Sequence, residues 1–274
     1  MQDSVRMDLV PADVAATVRR LSYEDAGFAE RFDAARPSPP VALLDLLPLV
    51  AGFERPSCVV DLGSGTGLST RCWAARADRV IGVEPSAAMR AEAARRTSAP
   101  NVSYVAGAGS ATGLPDGSAD IVTAAQSFQW MEPASAFAEI GRLLRPGGVF
   151  AAYQYGSVTT ASWEAIVAFE AVRAAVREKR AELGLDAERS IWPVTREAFA
   201  ASGVFRHAAE TMVHSVEEGS GDRLVAFALS EGSLQTLLPH VTEAEIGLDR
   251  LRVAAESLPS GPWYLGYHLF YGVK

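Results

Sequence analysis

From Cys58 onward, short apolar runs alternate with longer stretches in which apolar residues return every three or four positions. CVVDL (58–62) is continuous and valine-rich, the pattern of a central parallel strand covered on both faces. LSTRCWAARA (68–77) has helical spacing, RVIGVE (79–84) reads as a second buried strand, and SAAMRAEAARRT (86–97) as a helix opened by a serine of N-cap type. NVSYVAG (101–107), ADIVTAAQ (119–126) and VFAAYQY (149–155) complete five strands. The helix EPASAFAEIGRLL lies between the last two and is stopped by Arg145, Pro146, Gly147 and Gly148. Strand, helix, strand repeated in this way predicts right-handed crossovers and a mostly parallel, doubly wound α/β sheet.

The second half keeps another rhythm. A long helix is expected over 163–183, a short one over 195–203, a strand over 205–216 and helices across 220–258, before the aromatic WYLGYHLFYGVK closes the pattern as a last strand. Two terminal strands with helices between them predict an antiparallel pair at a sheet edge, with the helical insertion over the ligand crevice. The first 57 residues read as a helical preface able to fold back as a lid. The organisation expected is preface 1–57, core 58–156, and a remainder 157–274 of the same domain, carrying helical insertions near 160–190 and 220–258.

Composition narrows the function. Of 274 residues, 49% are hydrophobic and 21% charged, which suits a globular enzyme rather than a disordered chain. A net charge of -8 argues against general nucleic-acid affinity, which needs clustered Lys and Arg. The best membrane candidate, VALLDLLPLVAGF (41–53), is too short and is broken by Asp45, and the opening residues carry no apolar signal region. Cys58 and Cys72 lack the spacing of a zinc site, so no metal centre is expected and a reducing cytoplasm is the expected compartment. Oligomeric state is not encoded in any pattern here.

The chemistry concentrates in VVDLGSGTG (59–67). In an open parallel sheet, ligands sit at the carboxyl ends of the strands, and Gly63 and Gly65 let the backbone approach one closely. Glu84 ends the next strand, 21 residues after Gly63, where a carboxylate can accept both hydroxyls of a ribose. An adenosine-containing cofactor follows. A dinucleotide fingerprint would place glycine where Leu68 stands, which disfavours a nicotinamide-dependent oxidoreductase.

With Asp61 two residues before Gly63, this GxGxG turn resembles that of the class I S-adenosylmethionine-dependent methyltransferases. The resemblance continues through Glu84 and LLRPGGVF (143–150). Arg36-Pro37, GSATGLP (109–115) and QSFQWMEP (126–133) bring it close to the small-molecule enzymes of the ubiquinone-biosynthesis and trans-aconitate type. It implies a Rossmann-like seven-stranded sheet with its last strand antiparallel. It also implies methyl transfer from S-adenosylmethionine, with S-adenosylhomocysteine as product, to a small molecule bearing a carboxylate, hydroxyl, amine or activated carbon.

The residues it assigns to the cofactor are Asp61, Gly63, Ser64 and Gly65 in the turn, then Glu84 and Pro85, Ser110 and Ala111, Gln126, and Arg36 from the preface. Ser110 stands where the family usually carries an acid toward the adenine, and Gln129 replaces a histidine before Trp130. On the substrate side the candidates are Gln129, Trp130, Tyr153 and Trp192, with Tyr155 among the aromatics able to wall a pocket. His207 and His214 fall seven apart on one strand and are not a metal pair; His240 is the weak candidate for a base, and His268 is expected buried among aromatics. The segment after the fourth strand lacks the Pro-Pro-aromatic clasp of a base-flipping enzyme, so neither nucleic acid nor membrane is an expected partner. A protein that binds the cofactor without transferring methyl is the remaining alternative.

Overall fold

The computed structural model of the chain describes residue 14 and residues 23–156, 158–160, 162–185 and 194–274. Its centre is a seven-stranded sheet in the order β3-β2-β1-β4-β5-β7-β6. The strands are β1 (Cys58–Leu62), β2 (Arg79–Glu84), β3 (Val102–Ala106), β4 (Ala119–Ala125), β5 (Leu144–Tyr155), β6 (His207–Gly219) and β7 (Gly261–Val273). The first five pair in parallel. The last strand, β7, enters antiparallel between β5 and β6, so the antiparallel pair does sit at one edge.

Alternation within the apolar runs explains the two-sided core. In β1, Cys58, Val60 and Leu62 join a cluster with Phe128, Phe137, Phe150 and Phe199 on one face of the sheet. Val59 turns to the other face, with Trp73, Leu43, Leu44 and Leu47. In the aromatic cluster the Phe128 and Phe150 rings are 4.8 Å apart and the Phe128 and Phe137 rings 5.1 Å, both edge to face.

Two elements differ from the expected bounds. The helix after the glycine turn, α3 (Leu68–Cys72), stops at residue 72 rather than 77. From Trp73 the chain tightens into three-residue turns, with Trp73 N–H donating to Thr70 O at 3.2 Å and Arg76 N–H to Trp73 O at 2.8 Å, which delivers Asp78 and Arg79 to the start of β2. Conversely β5 begins at Leu144, five residues early, because Arg145 to Gly148 run alongside the start of β4 through a register shift between Ala119 and Ile121.

The preface supplies α1 (Ala26–Ala35) and α2 (Val41–Ala51), the latter packed against β4 and β5. α4 (Ala87–Arg96) precedes β3 and is capped by the Ser86 hydroxyl as expected, while α5 (Pro133–Leu143) and α6 (Trp163–Glu182) flank β5. Beyond them lie α7 (Arg196–Ala201), α8 (Gly221–Leu229), α9 (Gly232–Leu237) and α10 (Leu248–Glu256). α6, α8 and α10 pack on one another over one face of the sheet, burying Phe169, Leu224, Phe227 and Leu251. Among the described residues no helix is long and apolar enough to cross a membrane, and no cluster of His, Cys, Asp and Glu could hold a metal ion.

Candidate functional site

At the carboxyl ends of β1, β2, β4 and β5 the sheet opens into a cavity of about 440 Å³, within the range of small-molecule sites. The glycine turn forms one wall. Gly63, Gly65 and Gly67 all have positive φ (65°, 56° and 82°). At Gly63 a side chain would strike Ser127 Cβ at 2.6 Å, and at Gly67 it would strike the Tyr104 hydroxyl at 2.2 Å, so both positions require glycine for space as well as backbone conformation.

The turn is tied to β2 by its backbone. Gly63 and Ser64 N–H groups donate to Val83 O at 2.8 and 3.1 Å. Glu84 completes the join: its Oε2 accepts from Gly65 N–H and its Oε1 from Ser86 N–H, each at 2.9 Å. Burial pushes the Glu84 carboxyl above its ordinary pKa, and these two backbone donors act the other way. Each oxygen retains a lone pair for a ligand hydroxyl.

Ser64 and Thr66 also line the cavity, and both hydroxyls are buried without any partner in the protein. Buried hydroxyls are ordinarily hydrogen-bonded, so two orphans in one turn mark where a polar ligand sits. With the Glu84 carboxylate beside them, the residues present fit the ribose end of an adenosine-containing cofactor.

Opposite this wall, Gln126 holds the one positive φ of a non-glycine residue among those described, 56°. The conformation is costly for a side chain. It is enforced by Gln126 N–H donating to Tyr153 O (2.9 Å) and Nε2 to Tyr155 O (3.1 Å). Pro85, Ser110, Trp130, Tyr153 and Tyr155 line the cavity with it. Arg36 closes the far side from the end of α1. Its Nε donates to Ser230 Oγ at 2.7 Å, Nη2 to Ser230 O at 3.0 Å and Nη1 to Tyr155 Oη at 3.1 Å, and its guanidinium lies over the Phe32 and Phe227 rings at 4.9 and 4.8 Å. Among the described residues, the preface provides the cover through Tyr23, Phe32, Arg36, Pro37 and Pro39. The insertion touches this wall through Ser230, at the end of α8, which accepts from the Arg36 guanidinium without itself lining the cavity.

Several sequence candidates stand elsewhere. Asp61 does not line the cavity: it is fully buried behind the turn, where Thr70 Oγ1 donates to Oδ2 and Thr123 Oγ1 to Oδ1, each at 2.7 Å. Burial pushes its carboxyl up to about 6 against the pull of these hydroxyls. Ala111 is turned away by reciprocal backbone bonds with Ala108 at 3.0 Å, leaving Ala108, Gly109 and Ser110 at the wall. Gln129 faces away because residues 128–130 form a single 3-10 turn. Phe128 then enters the aromatic core, Trp130 faces the cavity, and the Gln129 amide donates to Gln126 O at 2.9 Å.

His240 is exposed on a 3-10 turn of the insertion, away from the cavity, so it is not placed to act as a base there. His268 is half-exposed rather than buried, paired with Glu210 at 3.4 Å. Trp192 lies outside the described residues.

Sequence reasoning missed Thr66, Ser69, Phe32, Met131 and Tyr267 as lining residues. Thr66 was in plain view inside the quoted turn, and its unpartnered burial is the property no spacing displays.

Comparison with known proteins agrees with this geometry. Residues 60–152 match the family model described as a methyltransferase domain. An uncharacterized methyltransferase of Mycobacterium bovis is 37% identical over 130 residues, covering 47% of this chain and 51% of the relative. A trans-aconitate 2-methyltransferase of Methylobacterium radiotolerans is 37% identical over 124 residues, covering 44% and 45%. The chain thus spans about half the length of the curated relatives it matches.

Among solved structures, one from Anaeromyxobacter dehalogenans, described as a proposed type II methyltransferase, superposes with a TM-score of 0.60 at 25% identity, over 87% of this chain and 97% of that one. A phosphoethanolamine N-methyltransferase 2 of Haemonchus contortus, solved with S-adenosyl-L-methionine, shares the fold at a TM-score of 0.56 and 18% identity, over 94% of this chain and 59% of that one.

Proposed function

We propose that this chain, which carries a class I S-adenosylmethionine-dependent methyltransferase domain over residues 60–152, transfers methyl to a small-molecule acceptor held in the same cavity. The observation that carries the reading is the meeting of the Glu84 carboxylate with the unpartnered Ser64 and Thr66 hydroxyls at the glycine turn. When bound, the cofactor supplies a methyl group already activated on a sulfonium. The protein's work is therefore alignment and the exclusion of water.

Each residue has a part in that work. Glu84 accepts the ribose hydroxyls, while Gly63, Ser64 and Gly65 give the backbone its close approach. Pro85 and Ser110 border the base. Gln126 and Arg36 hold the amino-acid end, the guanidinium against its carboxylate. Tyr23, Phe32 and the Pro37–Pro39 segment cover the site and keep bulk water from the sulfonium. A small acceptor suits a cavity of about 440 Å³, and the net charge of -8 opposes a nucleic acid.

Calorimetric titration with S-adenosylmethionine, S-adenosylhomocysteine and NADH tests the reading. Binding of the first two with no heat from NADH is expected. Binding of NADH alone overturns it.

A further inference from the structure

On its antiparallel side the sheet ends in an open edge. β6 is the last strand there, and no described strand lies beyond it. It is 13 residues long and pairs with β7 in one unbroken register from His207 to Gly219. Edge strands are usually blunted by lysine, proline, a bulge or short length, and HAAETMVHSVEEG has none of these. Its outward N–H and C=O groups therefore offer a template for another strand. The face carried by its even-numbered residues is open as well: Met212 is 51% exposed, Val216 61%, and Tyr264, opposite Val216 on β7, 55%. The strand is also held in shape, because Glu217 Oε1 accepts from Ser38 N–H at 2.8 Å and Oε2 from Arg223 Nη2 at 2.6 Å, which ties its far end to the cover of the cavity.

We propose that β6 is the contact between two copies of this chain, which add their β6 strands antiparallel about a two-fold axis through Met212 and so join their sheets into one. This contact does not depend on the methyl-transfer reading.

Charge is what selects a second copy as the occupant. A two-fold axis relating antiparallel neighbours stands perpendicular to the sheet, so each face meets its own kind and only residues of like parity can lie opposite one another. With the axis at Met212, Arg206 falls opposite Glu218, His214 opposite Glu210 and Ala208 opposite Val216, each twice by symmetry. Arg206, His214 and Glu218 are exposed, and their side chains have no hydrogen bond or ion pair among the described residues. Glu210 has His268 alone, at 3.4 Å. Opposite charges facing one another across two strands stabilise the pair, and like charges oppose it. Moving the axis by one residue either way sets Glu210 and His214 against Met212, Ala208 or Val216. Moving it by two brings Glu210 against Glu210 or against Glu218. The stretch around Met212 is complementary to itself in one register.

The test is sedimentation velocity of the full chain over a range of concentrations, with circular dichroism to verify folding. The 29.1 kDa chain should double in mass as concentration rises. Arg206→Glu and Glu218→Arg each place like charges opposite one another, and each should be monomeric alone. Mixed in equal amounts they should associate again, because every mixed pair has an acid opposite an arginine at both ends. Register is read by crosslinking, with Cys58 and Cys72 unchanged. At the axis the two Cα atoms of residue 212 are about 4.5 to 5.5 Å apart, within the span of a disulfide, so Met212→Cys should give a covalent dimer on mild oxidation. Ser215→Cys, which falls opposite Ala209, should not.

A chain that is monomeric at every concentration overturns the second copy as occupant and leaves the edge to an unlike strand. A dimer indifferent to either charge reversal, a mixture that does not associate, or Ser215→Cys crosslinking as readily as Met212→Cys overturns the contact proposed.

Discussion

Replacing Glu84 by alanine separates the cofactor role of that carboxylate from its structural one. In the folded protein its two oxygens accept from Gly65 and Ser86 N–H groups at 2.9 Å while the side chain is 6% exposed. Removing it orphans two backbone donors, which destabilises, but it also relieves the burial of a carboxylate whose pKa is already raised. The two effects oppose, and the variant should remain folded with a modestly lowered Tm.

Binding has no such offset. The ribose hydroxyls lose a charged acceptor, a loss of roughly 2 kcal/mol, which is about 30-fold in Kd for S-adenosylmethionine. Glu84→Gln should behave much the same way, because both oxygens face backbone donors and the amide NH₂ would have to meet one of them. In the wild type, affinity should weaken as pH falls through the raised pKa and the carboxylate is protonated. Titration calorimetry at neutral pH, with circular dichroism to verify folding, measures the effect. Unchanged affinity in a folded Glu84→Ala protein would refute the assignment of the ribose to the end of β2.

Other expectations follow from the same contacts. Ser230→Ala removes the Oγ that accepts from Arg36 Nε and leaves Ser230 O in place; cofactor affinity should fall by about 1 kcal/mol, roughly fivefold in Kd, and by more in Arg36→Ala, read by the same titration. Gly67→Ala combines φ of 82° with a Cβ 2.2 Å from the Tyr104 hydroxyl, and denaturant unfolding should show a loss of at least about 2 kcal/mol. For Asp61, the native pKa of about 6 lies above the ordinary 3.8, so the native state holds the extra proton between these values. Its stabilising contribution is present below pH 3.8 and is lost as pH rises through 6. Relative to Asp61→Asn, the wild type should therefore lose about 2 kcal/mol of unfolding free energy between pH 4 and 7, and parallel pH profiles for the two proteins would refute this.

What could be read ahead of the structure was whatever depends on neighbours in the chain. The run CVVDL and the run RVIGVE became β1 and β2 with the expected bounds, because a strand covered on both faces has no other pattern. The turn between Leu62 and Leu68 was equally legible, since positive φ at three alternate positions requires its glycines. Residues whose roles depend on partners far along the chain were not.

Asp61 shows the difference. Its place two residues before Gly63 marks it as part of the motif. Only the packing of α3 and β4 against β1 brings Thr70 and Thr123 onto its oxygens and turns it from the cavity into the wall behind. Gln129 and Trp130 show it on a smaller scale. One 3-10 turn, set by Phe128 finding the aromatic core, decides which of two adjacent side chains meets the ligand. The missing histidine at 129 therefore left no vacancy in the cavity wall, because that position faces away from the cavity and its amide donates to Gln126 O.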